Sequence, residues 1–284
     1  MSSAEAKLSE LLTDFTKSPE LLGALQKKIK ENREECNYFM FNELAEWEEW
    51  DAVKCLLEAG MEVDSPKYYG SRNSPRLLHI AVEKGSLEMV RFLLGEGAGF
   101  LDDYDDFTRP PLSTAFDFGH LLIANELVNA EGINLNVIDD KMYGNGNSPL
   151  HYAAMCSTVS EEVDGEEIFL TDIVKKMVEK GADANLRNKK GNTPLHIAVH
   201  KEQNEIVKTL IESEGVDLNP QNKKGDTPLH FASRKYYDGC GLYSLLRRGG
   251  ASEFVVNNKG VSPIGSKAWM MHSDEEQDPY SDDV

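Results

Sequence analysis

A four-residue opening, Thr-Pro-Leu-His, recurs along this chain, and no other feature limits the possible folds as much. It stands at Thr193-Pro194-Leu195-His196 and returns 34 residues later at Thr227-Pro228-Leu229-His230, with Ser148-Pro149-Leu150-His151 ahead of both. The stretch from Gly191 to Asp217 reads as one complete helix–turn–helix unit. Thr193 is placed to cap a helix, and Pro194 takes the first helical position, where a missing N–H costs nothing. Leu195, Ile197 and Ala198 give that helix an apolar side. After a polar turn at 201–204, a second helix carries Ile206, Val207, Leu210 and Ile211 at helical spacing, and Gly215 ends it. Such a unit has two apolar faces and needs copies of itself to bury both.

The copies are present. Weaker openings occur at Leu77-Leu78-His79-Ile80-Ala81 and Pro110-Pro111-Leu112-Ser113-Thr114-Ala115. The second helix returns as an apolar pair followed by glycine: Leu56-Leu57 with Gly60, Leu93-Leu94 with Gly97, Leu127-Val128 with Gly132. Met177-Val178 with Gly181, Leu210-Ile211 with Gly215 and Leu245-Leu246 with Gly249 continue the series. This pattern resembles the ankyrin repeat, a unit of about 33 residues that opens T-P-L-H-x-A. The resemblance covers residues 37–265 and implies an all-α solenoid of stacked helix pairs joined by short hairpin fingers, with about six units and a partial seventh at Gly260–Ile264. Unit four is interrupted. From His151 to Gly181 is 30 residues, against 18 from His79 to Gly97, which places an acidic insertion near 157–169, expected as a solvated loop or a second recognition element.

The ends differ from the middle. Residues 1–36 carry two apolar stripes, Leu8-Leu11-Leu12-Phe15 and Leu21-Leu22-Leu25-Ile29, expected as a helical cap over the first repeat, with a partner-binding helix pair as the alternative. Trp47 and Trp50 lie three apart and are expected to pack beneath that cap rather than anchor a partner. Residues 266–284 form a short capping segment and an acidic tail with almost nothing to bury, expected to be disordered. That tail resembles the Glu-rich secretion signals of ankyrin-repeat effectors from intracellular bacteria, which would imply delivery into a host cytosol.

The formal charge of −19 argues against a nucleic-acid or anionic-membrane surface, and no apolar run has transmembrane length. The N-terminus has neither the basic flank nor the apolar core of a signal peptide. Cys36, Cys55, Cys156 and Cys240 show no C-x-x-C pairing, as expected of reduced thiols in the cytoplasm. Chemistry has no evident home. His196 and His200 are four apart, but no Glu follows His196 as a metalloprotease helix requires. The ankyrin resemblance implies a structural role for His79, His151, His196 and His230, each tying neighbouring turns together. No metal, cofactor or catalytic residue is expected.

The resemblance also implies a concave binding surface made of finger tips and late first-helix positions. Carried onto this chain, these are Lys189, Lys190, Lys223 and Lys224 at the tips, His200, Lys201, Arg234 and Lys235 late in the helices, and Phe118 and Met155 in an apolar middle. Residues 181–250 hold 11 Lys+Arg and 8 Asp+Glu, net +3, which leaves −22 for the rest. The expected function is a non-enzymatic, monomeric protein-interaction module whose basic end meets an acidic or phosphorylated protein segment. The alternative is a metal-dependent enzyme or enzyme subunit using His200 with nearby carboxylates.

Overall fold

A computed structural model describes residues 44–58, 63, 77–99, 109–140, 144–163, 165–234 and 241–265. The cap at 1–36, the stretch with Asp102, Asp103, Asp105 and Asp106, Lys235 and the tail at 266–284 lie outside the described residues. The chain divides into two compact units, Met1–Pro111 and Leu112–Val284.

The first unit contains α1 (Trp50–Glu58), α2 (Leu77–Glu83) and α3 (Leu87–Gly95). Every residue of α2 except Glu83 is buried, and α3 packs against it through Met89, Val90 and Leu93. Ser86 opens α3, its hydroxyl accepting from Met89 N at 3.4 Å. Ion pairs tie the helices from outside: Lys54 meets Glu88, and Lys84 meets Glu46 at 3.0 Å. The Lys54 ammonium holds the Glu88 carboxyl below its ordinary pKa. Trp50 is half-buried and Trp47 is 58% exposed; the cap expected to cover them lies outside the described residues.

In the second unit helices alternate in pairs. α4 (Pro111–Phe118), which opens at the unit boundary, is followed by α5 (Leu121–Asn129), and α6 (Pro149–Met155) by α7 (Leu170–Glu179). Then come α8 (Pro194–His200) with α9 (Asn204–Glu212) and α10 (Pro228–Arg234) with α11 (Leu242–Gly249). First helices pack in one row, α6 on α8 on α10, and second helices in another, α5 on α7 on α9 on α11. The apolar positions read from the repeat are the ones removed from water: Leu150, Leu195 and Leu229 in the first row, Ile173, Val207 and Leu246 in the second. At about 1.5–3 kcal/mol for each large apolar side chain buried, these shared layers hold the helix pairs to one another.

Fingers join the pairs and bond along the stack. Lys189 N donates to Asn145 O at 2.8 Å, Lys223 N to Lys190 O at 3.0 Å and Asn258 N to Lys224 O at 3.0 Å. Side-chain amides run alongside, Asn188 Nδ2 to Asn147 Oδ1 and Asn222 Nδ2 to Asn192 Oδ1, both at 2.9 Å. The backbones come so close that a Cβ on Gly191, whose φ is +80°, would stand 2.8 Å from Lys223 N. Glycine is required there on both counts.

The acidic insertion is not a solvated loop. It is a two-stranded antiparallel hairpin, β1 (Ser160–Val163) and β2 (Glu166–Phe169), with Glu161 facing Ile168 and Glu162 facing Glu167. Burial alternates as a hairpin with one covered face requires: Glu161 and Ile168 are half-buried, while Ser160, Glu162, Glu167 and Phe169 are exposed. The intervening Asp164-Gly165 is a favoured two-residue turn sequence, and Gly165 has the positive φ, +81°, that such a turn needs.

Candidate functional site

The repeated histidines occupy one geometry. Ser148 N donates to His151 Nδ1 at 3.1 Å, Thr193 N to His196 Nδ1 at 3.1 Å and Thr227 N to His230 Nδ1 at 3.0 Å. A backbone N–H can only donate, so each Nδ1 accepts and each Nε2 carries the proton. Nε2 then reaches the next finger, to Asn192 O at 2.9 Å, Asp226 O at 3.0 Å and Val261 O at 3.0 Å. His151 and His196 thus close capping boxes on their own helices, and all three imidazoles hold the following unit. Burial pushes His151 and His196 down to about 4 and lowers His230 as well. His79 is likewise buried, within α2.

His200 stands apart from this geometry. It is half-buried at the end of α8, its ring 5.9 Å from that of Phe231 in an edge contact. Among the described residues no group of three or more His, Cys, Asp or Glu stands where it could hold a metal ion. Among the described residues, the carboxylates that a His200-centred metal site needs are not grouped with it.

The lysines of successive finger tips are set in a row by the cross-finger bonds. Lys189, Lys223 and Lys224 are exposed and Lys190 is half-buried, with Lys201 exposed at the end of α8. Not all of this charge faces solvent. Lys189 Nζ donates to Gly144 O at 2.7 Å and to Asp140 O at 3.2 Å, tying one finger to the one before. Arg234 Nη2 lies 2.9 Å from Asp226 Oδ1, and only 14% of its side chain is exposed. Asp226, 1% exposed, also accepts from Asn257 Nδ2 at 2.7 Å. Arg234 further lies over the Phe231 ring at 5.7 Å. Its cation neutralises a buried carboxylate, which gives it a role within the stack.

Phe118 and Met155 come together. They line a half-open cleft of about 110 Å³ with Phe116, Asp117, Gly119, Tyr152, Cys156, Ser157 and Thr158. Phe118 stacks on His120, with ring centroids 6.0 Å apart and planes 6° from parallel, yet stays 52% exposed. Gly119 gives the cleft its shape: φ is +77°, and a Cβ there would stand 2.2 Å from Thr158 Oγ1. Cys156 is a buried thiol whose pKa burial raises, with the carboxylates of Asp117 and Glu161 adding to the rise. Both charges therefore act on the same end of the cleft.

Three contributors went unread in the sequence. Glu161 Oε2 accepts from Leu122 N at 2.7 Å at the start of α5, whose own N-cap residue, His120, makes no side-chain cap bond. Tyr152 O–H donates to buried Asp139 Oδ2 at 2.6 Å, fixing a cleft wall to its finger. Gln203 Nε2 donates to Cys156 O at 2.9 Å from the next unit. The Asp-Gly turn flanked by alternating residues was the available signal for the first; nothing local marks the other two.

The family model described as ankyrin repeats (three copies) matches residues 41–139, 78–163 and 167–250. Among known proteins, the chain is 29% identical to a putative ankyrin repeat protein of Fowlpox virus over 162 residues, which is 56% of this chain and 42% of that protein. It is 34% identical to a putative ankyrin repeat protein of Rickettsia felis over 77 residues, 27% of this chain and 29% of that one. It is 23% identical to the human NF-kappa-B inhibitor zeta over 164 residues, 58% of this chain and 16% of that protein. The chain spans less than half the length of each of these relatives. With the family model lying across most of its length and the capped histidine openings repeated in space as in sequence, the chain belongs to the ankyrin-repeat family.

Proposed function

We propose that this chain is a non-enzymatic protein-interaction module that holds a partner segment along its finger tips and late first-helix positions. Ankyrin repeats are in general protein-interaction modules, and the relatives named above include one named as an NF-kappa-B inhibitor. The observation that carries the reading is the finger ladder. Its three cross-finger backbone bonds hold the backbones of Lys190, Lys223 and Lys224 in register along one edge, which supports a row of basic residues for an acidic partner segment. Arg234 stands behind this row, engaged with Asp226, and contributes by holding the finger.

Peptide display on the full chain tests the proposal, followed by charge reversal of the selected binder's site. Lys223→Glu with Lys224→Glu should weaken an acidic binder about ten-fold or more, chiefly through slower association and a flatter salt dependence. A library that yields no binder, or binders indifferent to both reversals, would overturn it.

A further inference from the structure

The cleft between the ends of α4 and α6 lies in a field opposite in sign to that of the finger tips. From Ser157 to Asp172 the chain carries six carboxylates and no lysine or arginine. The hairpin presents Glu162 and Glu167 on its exposed face, while Asp117 on the rim and Glu161 behind it act on Cys156. Two lysines at the end of α7 are engaged on α5. Lys176 Nζ is held by Asn125 Oδ1 at 2.7 Å and Lys180 Nζ by Val128 O at 2.9 Å.

The lining is mixed. Phe118, Met155 and Tyr152 supply apolar surface, and Asp117, Ser157 and Thr158 supply acceptors. An apolar cavity of about 150 Å³ holds a benzene ring, so an open cleft of about 110 Å³ is small for an aromatic anchor. It suits a slim apolar stem with a planar, charged head. We propose, building on the interaction reading, that this cleft takes an arginine side chain from a basic segment of the partner protein. Its methylenes lie along Met155, its guanidinium stacks on the exposed part of the Phe118 ring, and its N–H groups donate to the Asp117 carboxylate and the hydroxyls of Ser157 and Thr158. Lysine, a compact point charge without a planar face, fits less well. A partner segment would then lie in one direction only, its basic part at the cleft and its acidic part at the lysine tips.

Fluorescence anisotropy of the full chain with dye-labelled Gly/Ser peptides tests this. The probes carry two central arginines, two lysines, two citrullines or two glutamates. The arginine peptide should bind, the lysine peptide less tightly, and the citrulline peptide, equal in shape but uncharged, about ten-fold or more weaker than arginine. Asp117→Asn and Phe118→Ala should each weaken the arginine peptide about five-fold or more, at unchanged circular dichroism and thermal midpoint. Glu162→Lys with Glu167→Lys, on the exposed hairpin face, should slow its association and reduce its salt dependence. Equal affinity for citrulline and arginine, or indifference to Asp117→Asn, overturns the proposal. If only the glutamate peptide binds and Lys223→Glu with Lys224→Glu abolishes that, the arginine site falls while the interaction reading stands. If no probe binds and display yields nothing, both fall. Concentration-dependent sedimentation of the chain alone, abolished by Met155→Arg, would assign the cleft to a second copy and overturn the proposal too.

Discussion

At the scale of single residues, the histidines carry the most testable physics. His151 and His196 have pKa values near 4 in the folded chain, below the ordinary 6.5, because burial disfavours the imidazolium. Protonating Nδ1 would also remove the acceptor of a backbone N–H. The sign follows directly. Between those pH values the unfolded chain binds protons that the folded chain refuses, so stability is full above 6.5 and declines as pH falls toward 4. About 1.4 kcal/mol accrues per pH unit for each imidazole, on the order of 2 kcal/mol each by about pH 5. Urea midpoints should therefore drop between pH 7.5 and 5, where most carboxylates are still ionised. His196→Gln should be less stable at pH 7.5 and show a shallower decline; an equal decline would remove His196 as a contributor. Where the opening is altered, the sequence explains why. Ser113 sits at the histidine position of α4, and the residue at the capping position is Pro110, which has no N–H to give an imidazole. The hydroxyl of Ser113 is buried with no hydrogen-bond partner, a cost that His151, His196 and His230 avoid at their openings.

Among the elements, the helix pairs were legible and the hairpin was not. Pro194, Leu195 and Gly215 announce their helices because caps, apolar spacing and C-terminal glycines are local signals. The hairpin at 160–169 carries an equally local Asp-Gly turn, but its run of carboxylates suggests a solvated loop until Glu161 is seen to have a helix end to serve. A carboxylate at a helix N-terminus meets unpaired N–H groups and the positive end of the helix dipole. Glu161→Ala should cost about 1 kcal/mol. Hydrogen exchange should speed up at the amides of Leu122, Ile123 and Ala124, with those of α9 unaffected. Glu161→Gln, which keeps an acceptor and loses the charge, should fall between. Exchange unchanged at Leu122 would mean that the bond does not hold the hairpin to α5. The cleft was half legible for a similar reason. Phe118 and Met155 could be assigned to one surface by repeat position, but the approach of Thr158 to Gly119 joins residues of two repeats that no local pattern links.

At the scale of the molecule, repetition spreads both packing and charge over many units. Leu195 is wholly buried between the α6 and α10 neighbours of α8, so Leu195→Ala should cost roughly 2–5 kcal/mol and weaken both adjoining units at once. Charge behaves differently, because its reach depends on salt. The whole chain carries −19, while residues 181–250 carry 11 Lys+Arg against 8 Asp+Glu, or +3. At about 0.01 M salt the screening length is about 30 Å, and an approaching acidic segment feels the repulsion of the remaining −22 before it feels Lys223 or Lys224. At about 0.1 M that length is about 10 Å, so the distant repulsion fades while contacts at the tips survive. The association rate of an acidic probe should therefore rise, pass through a maximum and fall as salt increases. An arginine probe is attracted both by the net charge and by the cleft, so its rate should fall steadily over the same range. Stopped-flow anisotropy from about 0.01 to 0.3 M salt distinguishes the two behaviours. Parallel salt dependence for both probes would mean that the local charge of the finger tips and of the cleft does not guide association.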